Sequence, residues 1–289
     1  MYKRILVPLD GSRYSEEILP YASGLAAVSN AELVLLRVVD RFPPDADPAE
    51  YVKRLATAYG ARALCLPAIA DVADAILDEA YREPQTLVAM TSRGRSGLVE
   101  LALGSVAQRV LRGARSAVLV YRPSGSRDTQ RWPRRLQRVI LPLASDDHDH
   151  DMADEAAQFA HWIGAELQVV SVIEPLSEAV RAQVPESDFA ILESGFVHTT
   201  AEKLAKTHDV RINWDTLHGD PVEAIVGCVA GQRASILAMH TRRKSALEAA
   251  FLGSVTAGCL HRAGVPILMR SPLSRVELLH LSARRRGEA

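Results

Sequence analysis

The stretch KRILVPLD at residues 3–10 returns as QRVILPLA at residues 137–144, an offset of 134. A short aliphatic run closed by Pro and Leu is a strand pattern, and meeting it twice asks whether the whole chain is doubled. It is. AEL at 31–33 recurs at 165–167 with the same offset. LGSV at 103–106 recurs at 252–255, and SAVLVYRP at 116–123 faces VPILMRSP at 265–272, both offset by 149. The second copy therefore carries about fifteen more residues, between Glu174 and Gly219. The expected organisation is a first domain over 1–123, a polar linker over 124–135, a second domain over 136–272 and a basic tail over 273–289.

Within the first copy, RILVPL, ELVLLRVV, ARALCL, TLVAM and AVLVY read as strands. SEEILPYASGLAAVS, PAEYVKRLATAY, DVADAILDEAY and SVAQRVLRGA, which alternate with them, place apolar residues at helical spacing. Strands alternating with helices imply right-handed crossovers, and so an α/β fold with an open, mostly parallel five-stranded sheet in each copy. Such sheets bind ligands beyond the carboxyl ends of their strands, where strand order reverses. In copy one those ends carry PLDGS, RVVD and MTSRGRSG. Each copy also closes on an aliphatic strand that would be a bare edge in isolation, so strand 117–122 is expected to pair with strand 265–270.

Composition bounds the function. A hydrophobic fraction of 48% with 5% aromatics suits a core of Ala, Val, Leu and Ile, as in doubly covered parallel strands. A formal net charge of −1 supplies no field for nucleic acid or an acidic membrane. No run reaches the roughly 18 apolar residues of a membrane span, and the chain enters a strand pattern at once, without signal-peptide regions, so a cytoplasmic protein is expected. Cys65, Cys228 and Cys259 lie far apart with no C-x-x-C pairing and read as buried small hydrophobes in a reducing compartment.

SRGRSGLVELALGS at 92–105 is the chemical question. No Walker-type loop and no G-x-G-x-x-G after the first strand are present. What exists is Gly94, nine residues, then Gly104-Ser105 opening a helix, whose unpaired N–H groups suit a phosphate. Arg95 adds charge, and Ser105 either caps the helix or donates its hydroxyl. The competing reading is a glycine-rich surface turn with Ser105 as its cap. Asp10, at the end of the first strand, has two readings as well: a carboxylate accepting from a ribose or base, or the cap of an Asx-turn.

ILVPLDGS, GRSGLVELALGSVAQRVLRGARSAVLVYRP and the doubled layout resemble a tandem universal stress protein, over nearly the whole chain. The resemblance implies two tandem open sheets of strand order 3-2-1-4-5, paired through their last strands as a pseudo-dimer. In one branch of that family it also implies ATP binding, marked by Gly, two residues, Gly, nine residues and Gly-Ser/Thr. On copy one the marked positions are Thr91 (where the branch has glycine), Gly94 and Gly104-Ser105, with the first-strand Asp at Asp10 and the second-strand contact at Val38. The implied nucleotide contacts are Pro8, Leu9, Asp10 and Ser12; Val38; Met90, Thr91, Gly94 and Arg95; and Gly104, Ser105 and Val106. Copy two has Ala144, His240 and Arg243 at the matching positions and keeps Gly253-Ser254, so it is expected to bind no nucleotide in that manner.

DDHDHD at 146–151 offers His148 and His150 to a divalent metal, against the plainer reading of a solvated turn. No catalytic constellation and no metal set are assigned. The leading expectation is a stress-response sensor or regulator binding an adenine nucleotide, ATP with or without Mg2+, in its first domain. A nucleotide-free interaction scaffold is the alternative, and a slow ATPase the third reading. The expected partners are the nucleotide and other proteins, with no nucleic acid and no membrane. The assembly expected is an intrachain pseudo-dimer, itself able to form a homodimer.

Overall fold

The computed structural model describes residues 1–39, 47–68, 71–93, 103–124, 136–144, 150–174, 186–230, 234–241 and 252–271. In the first half, β1 (Arg4–Leu9), β2 (Glu32–Val39), β3 (Arg62–Pro67), β4 (Thr86–Thr91) and β5 (Val118–Tyr121) alternate with α1 (Arg13–Glu16), α2 (Leu19–Ser29), α3 (Pro48–Tyr59), α4 (Val72–Arg82) and α5 (Ser105–Gly113). The second half has β6 (Arg138–Leu143), α6 (His150–Ile163), β7 (Glu166–Ile173), α7 (Glu186–Thr207) and β8 (Ile212–His218). It continues with α8 (Pro221–Val229), β9 (Ser235–His240), α9 (Ser254–Arg262) and β10 (Ile267–Arg270). The long α7, 22 residues against 12 in α3, takes up part of the extra length of the second copy. The linker after Ser124 and the basic tail lie outside the described residues.

Two local expectations change. The segment 15–29 is not one helix, because Pro20 has no N–H for the carbonyl of Glu16 and its ring crowds that carbonyl; the chain breaks after Glu16 and restarts with Pro20 in the first turn of α2. Cys65 is exposed, since β3 is a sheet edge with a neighbour on one side, β2, and Cys228 is only half-buried, whereas Cys259 on α9 is buried as expected.

The two five-stranded sheets merge into one ten-stranded sheet, β3-β2-β1-β4-β5-β10-β9-β6-β7-β8. Each half keeps the order 3-2-1-4-5 with parallel pairs, and the halves join through antiparallel β5 and β10, with Val120 opposite Ile267, Leu119 opposite Leu268 and Val118 opposite Met269. Strand residues alternate between the faces. Ile5, Val7 and Leu9 of β1 face a core shared with α2, α3 and α6, while Leu6 and, on β2, Val34, Leu36 and Val38 face a second core with α4, α5, α8 and α9. Both cores contain residues of both halves, so the seam is interior, not a loose domain contact. There Glu155 of α6 accepts from Tyr2 (2.7 Å) and pairs with Arg270 (2.7 Å), with the ring of Tyr2 edge-on to Trp162. Burial and the adjacent Glu155 carboxylate push the Tyr2 phenol well above its ordinary range.

Candidate functional site

β1 lies between β2 and β4, so the chain leaves it in one direction toward β2 and β3 and later returns on its other side. A crevice opens at that reversal, beyond the carboxyl ends of β1, β2 and β4 and under the N-termini of α4 and α5. It holds a cavity of about 320 Å3, within the size of small-molecule sites. Pro8, Leu9, Val38, Met90, Val72, Ile76, Val106 and Ala107 make apolar walls; Asp10, Ser15, Arg37, Thr91, Ser92, Arg93, Gly104 and Ser105 bring the polar groups.

The end of β1 is set by its own turn. Asp10 Oδ1 accepts from the N–H of Ser12 (2.8 Å), and Gly11 between them takes φ 85°, a left-handed conformation that suits glycine. Ser12 Oγ then caps α1 by accepting from the N–H of Ser15 (3.3 Å). Asp10 is thus both an Asx-turn and a carboxylate on the cavity wall, while Ser12, expected among the contacts, serves α1 and does not line the cavity.

The two helix N-termini at the cavity differ. Asp71 caps α4 by accepting from the N–H of Ala73 (2.7 Å), and its carboxylate also pairs with Arg109 (2.5 Å). α5 starts at Gly104, which has no side chain to cap with. Ser105 is not the cap but the first helical residue; it is exposed, and its side chain takes no hydrogen bond among the described residues. The first-turn N–H groups of α5 are therefore left for solvent or a ligand, with the positive end of the helix dipole behind them. Gly104 is pinned by its N–H to the carbonyl of Ser92 (2.7 Å), which brings α5 against the end of β4.

Beside this helix end stand Ser92 and Arg93. Ser92 is 0% exposed, and its Oγ has no partner among the described residues. Arg93 has no carboxylate partner among the described residues; its Nε is buried and unpaired, and Nη2 makes a long contact (3.4 Å) to the carbonyl of Pro123. Thr91, which stands where a glycine is expected, donates its hydroxyl to the carbonyl of Arg93 (2.8 Å) and so holds that residue in place. Arg37, 7% exposed, reaches over the strand end to donate to the carbonyl of Leu9 (3.2 Å).

Of the residues singled out in the sequence, Pro8, Leu9, Asp10, Val38, Met90, Thr91, Gly104, Ser105 and Val106 come together around the cavity. Gly94 and Arg95 lie outside the described residues, and so do His148 and Arg243. Sequence reasoning passed over Arg37, Ser92 and Arg93. Arg93 carries a legible signal, a cation just after the fourth strand within MTSRGRSG, which was overshadowed by Arg95. Val72 and Ile76, one helical turn apart at the start of α4, were legible as an apolar pair.

The equivalent crevice of the second half is built differently. β6 ends in Leu143 followed by Ala144, with no carboxylate. Thr256, in the position that Ala107 holds in the first half, donates its hydroxyl to the carbonyl of His240 (3.0 Å) and ties α9 to the end of β9. Gly253 again opens its helix without a side-chain cap.

Comparison with known proteins agrees with this doubled architecture. The model of the universal stress protein family matches residues 1–122 and again 135–270. The chain is similar to Universal stress protein MJ0531 of Methanocaldococcus jannaschii, 31% identical over 139 residues that cover 42% of this chain and 82% of that one. It is also similar to a universal stress protein of Thermus aquaticus, 29% identical over 134 residues covering 46% and 98%. Among solved structures, a universal stress protein from Archaeoglobus fulgidus DSM 4304 shares the fold with a TM-score of 0.61 at 19% identity, covering 94% of this chain and 98% of that one. A putative universal stress protein from Pseudomonas aeruginosa UCBPP-PA14 gives 0.62 at 17%, covering 98% of both.

Proposed function

This chain belongs to the universal stress protein family, and from that premise we propose that its N-terminal half binds one adenine nucleotide, ATP with or without Mg2+, as a stress-response sensor or regulator. The observation that carries the reading is the uncapped N-terminus of α5, aimed at the cavity between an unpartnered buried Ser92 hydroxyl and an Arg93 without a carboxylate partner among the described residues. Such a corner suits phosphate oxygens, which accept from backbone N–H groups and a guanidinium. The opposite walls, Val38, Val72, Ile76 and Met90, suit the flat apolar faces of a base. Asp10, fixed by its turn, faces the span between them and accepts from a ribose hydroxyl.

The C-terminal half serves as the structural partner. Ala144 provides no side-chain acceptor, and Thr256 ties α9 to the end of β9 where the first half has Ala107 on its cavity wall. A nucleotide-free scaffold role thus fits the second half. Calorimetric titration of the full chain with ATP is expected to give one site per chain. Two equivalent sites, or no heat and no binding by equilibrium dialysis, would overturn the reading.

A further inference from the structure

Arg93 connects the cavity wall to the seam between the halves. Arg93 lines the cavity, and its Nη2 points to the carbonyl of Pro123, next to Arg122 at the end of β5. Arg122 in turn donates from Nη1 to Nε2 of His261 (3.2 Å), on the last turn of α9 in the other half. A guanidinium has no acceptor, so Nε2 must accept, and the imidazole is neutral with its proton on Nδ1. Two cations and one imidazole therefore stand together. The neighbouring charges are engaged elsewhere: Arg262 with Glu223 of α8 (2.8 Å), Arg109 with Asp71 and Asp74, and Glu17 with the N–H and hydroxyl of Ser124 (2.8 and 3.2 Å).

Resting on the nucleotide reading above, we propose that the anionic end of the ligand is held by a cationic cluster shared between the halves, Arg93, Arg122 and His261. The second half then contributes a group to the first half's site and takes up a proton when that site fills. The ligand class is a polyphosphate chain. Before binding, burial and then Arg122 and Arg93 hold His261 below the ordinary imidazole range, and burial and then Arg93 likewise lower Arg122. An anion placed beside Arg93 offsets that repulsion. Arg122 turns its donors to the phosphate, Nε2 of His261 is released, and a proton from solvent binds there. The cation formed adds attraction to the same anion. Affinity is then expected to rise as pH falls through the imidazole range, because the bound state holds more protons than the free state.

The test uses the full chain and two probes, ATP and inorganic triphosphate, which keeps the charge and lacks the base. Calorimetry in two buffers of different ionisation enthalpy, near pH about 6.5, measures proton uptake for the parent and for His261→Gln, an exposed change that leaves the core untouched. Titration of the phosphates themselves is common to both proteins and cancels in the comparison. Greater proton uptake by the parent, an upward move of the His261 titration in NMR on ligand addition, and roughly tenfold weaker binding of both probes by Arg93→Gln are expected. Equal uptake in parent and His261→Gln, or a His261 titration unmoved by saturating ligand, overturns the cluster while ATP binding itself stands. Triphosphate bound with proton uptake but ATP not bound supports the cluster and defeats the nucleotide reading. Binding of neither probe defeats both.

Discussion

Replacing Gly104 separates the folding role of the α5 N-terminus from its ligand role. Its φ of −70° and ψ of 160° are open to any residue, so no strain argues for glycine here. A Cβ would lie 3.4 Å from the carbonyl oxygen of Ser92 and 4.0 Å from Cα of Arg93, an ordinary contact. Ala in place of Gly at a helix cap costs about 0.5–1 kcal/mol, and the restricted unfolded chain returns about 0.4–1 kcal/mol. Gly104→Ala should therefore shift Tm by no more than about 2–4 °C. On the proposed phosphate site binding should respond differently, because there the added methyl group crowds the phosphate oxygens that approach this backbone. Losing one charge-assisted hydrogen bond costs about 1.5–3 kcal/mol, or roughly tenfold to a hundredfold in ATP affinity. Gly104→Val, with two further methyl groups, should abolish binding. Thermal unfolding and calorimetric titration of the parent and both variants supply the assay. A Gly104→Val protein that folds normally and binds ATP as tightly as the parent refutes the assignment of phosphate to α5.

The isolated first half, residues 1–123, should self-associate, because it bares the β5 edge together with Tyr2 and Leu25, which share the seam-spanning core with α6; a monodisperse monomer by light scattering at high concentration would count against this. Thr91→Gly should weaken ATP binding about fivefold, since it removes the roughly 1 kcal/mol hydroxyl bond that holds Arg93; tighter binding would show that Thr91 merely crowds the pocket. At pH 8 one thiol, Cys65, should react quickly with a disulfide reagent. Cys259 should stay protected, because burial pushes its thiol up to about 12 and its reactive thiolate forms only toward that pH. Mass spectrometry of the labelled peptides checks this, and equal rates at the two positions would contradict the burial of Cys259.

Local order was legible because it rests on short-range pattern. Strands covered on both faces read as unbroken aliphatic runs, so β1, β2 and β4 were found almost to the residue. The repeat offsets identified β5 and β10 as equivalent strands, and the problem of a bare edge predicted their pairing. Asp10 and the Gly104-Ser105 pair were visible because the turn and helix start that hold them are local too, while Val38 came from the family resemblance alone.

What the tertiary structure decided depends on groups far apart in the chain. Pro20 splits a periodic segment because its ring meets a carbonyl one turn earlier. Cys65 is exposed because β3 has a single neighbour. Arg93 borders the cavity because Thr91 holds its carbonyl and Ser92 anchors α5. The second half's strand–helix gap is tied by Thr256 reaching a carbonyl sixteen residues away. His261 meets Arg122 across 139 residues, and no periodicity within either copy records that meeting. Spacing encodes which face a residue takes; which charges and donors share a face across the seam is set by how the two sheets close into one.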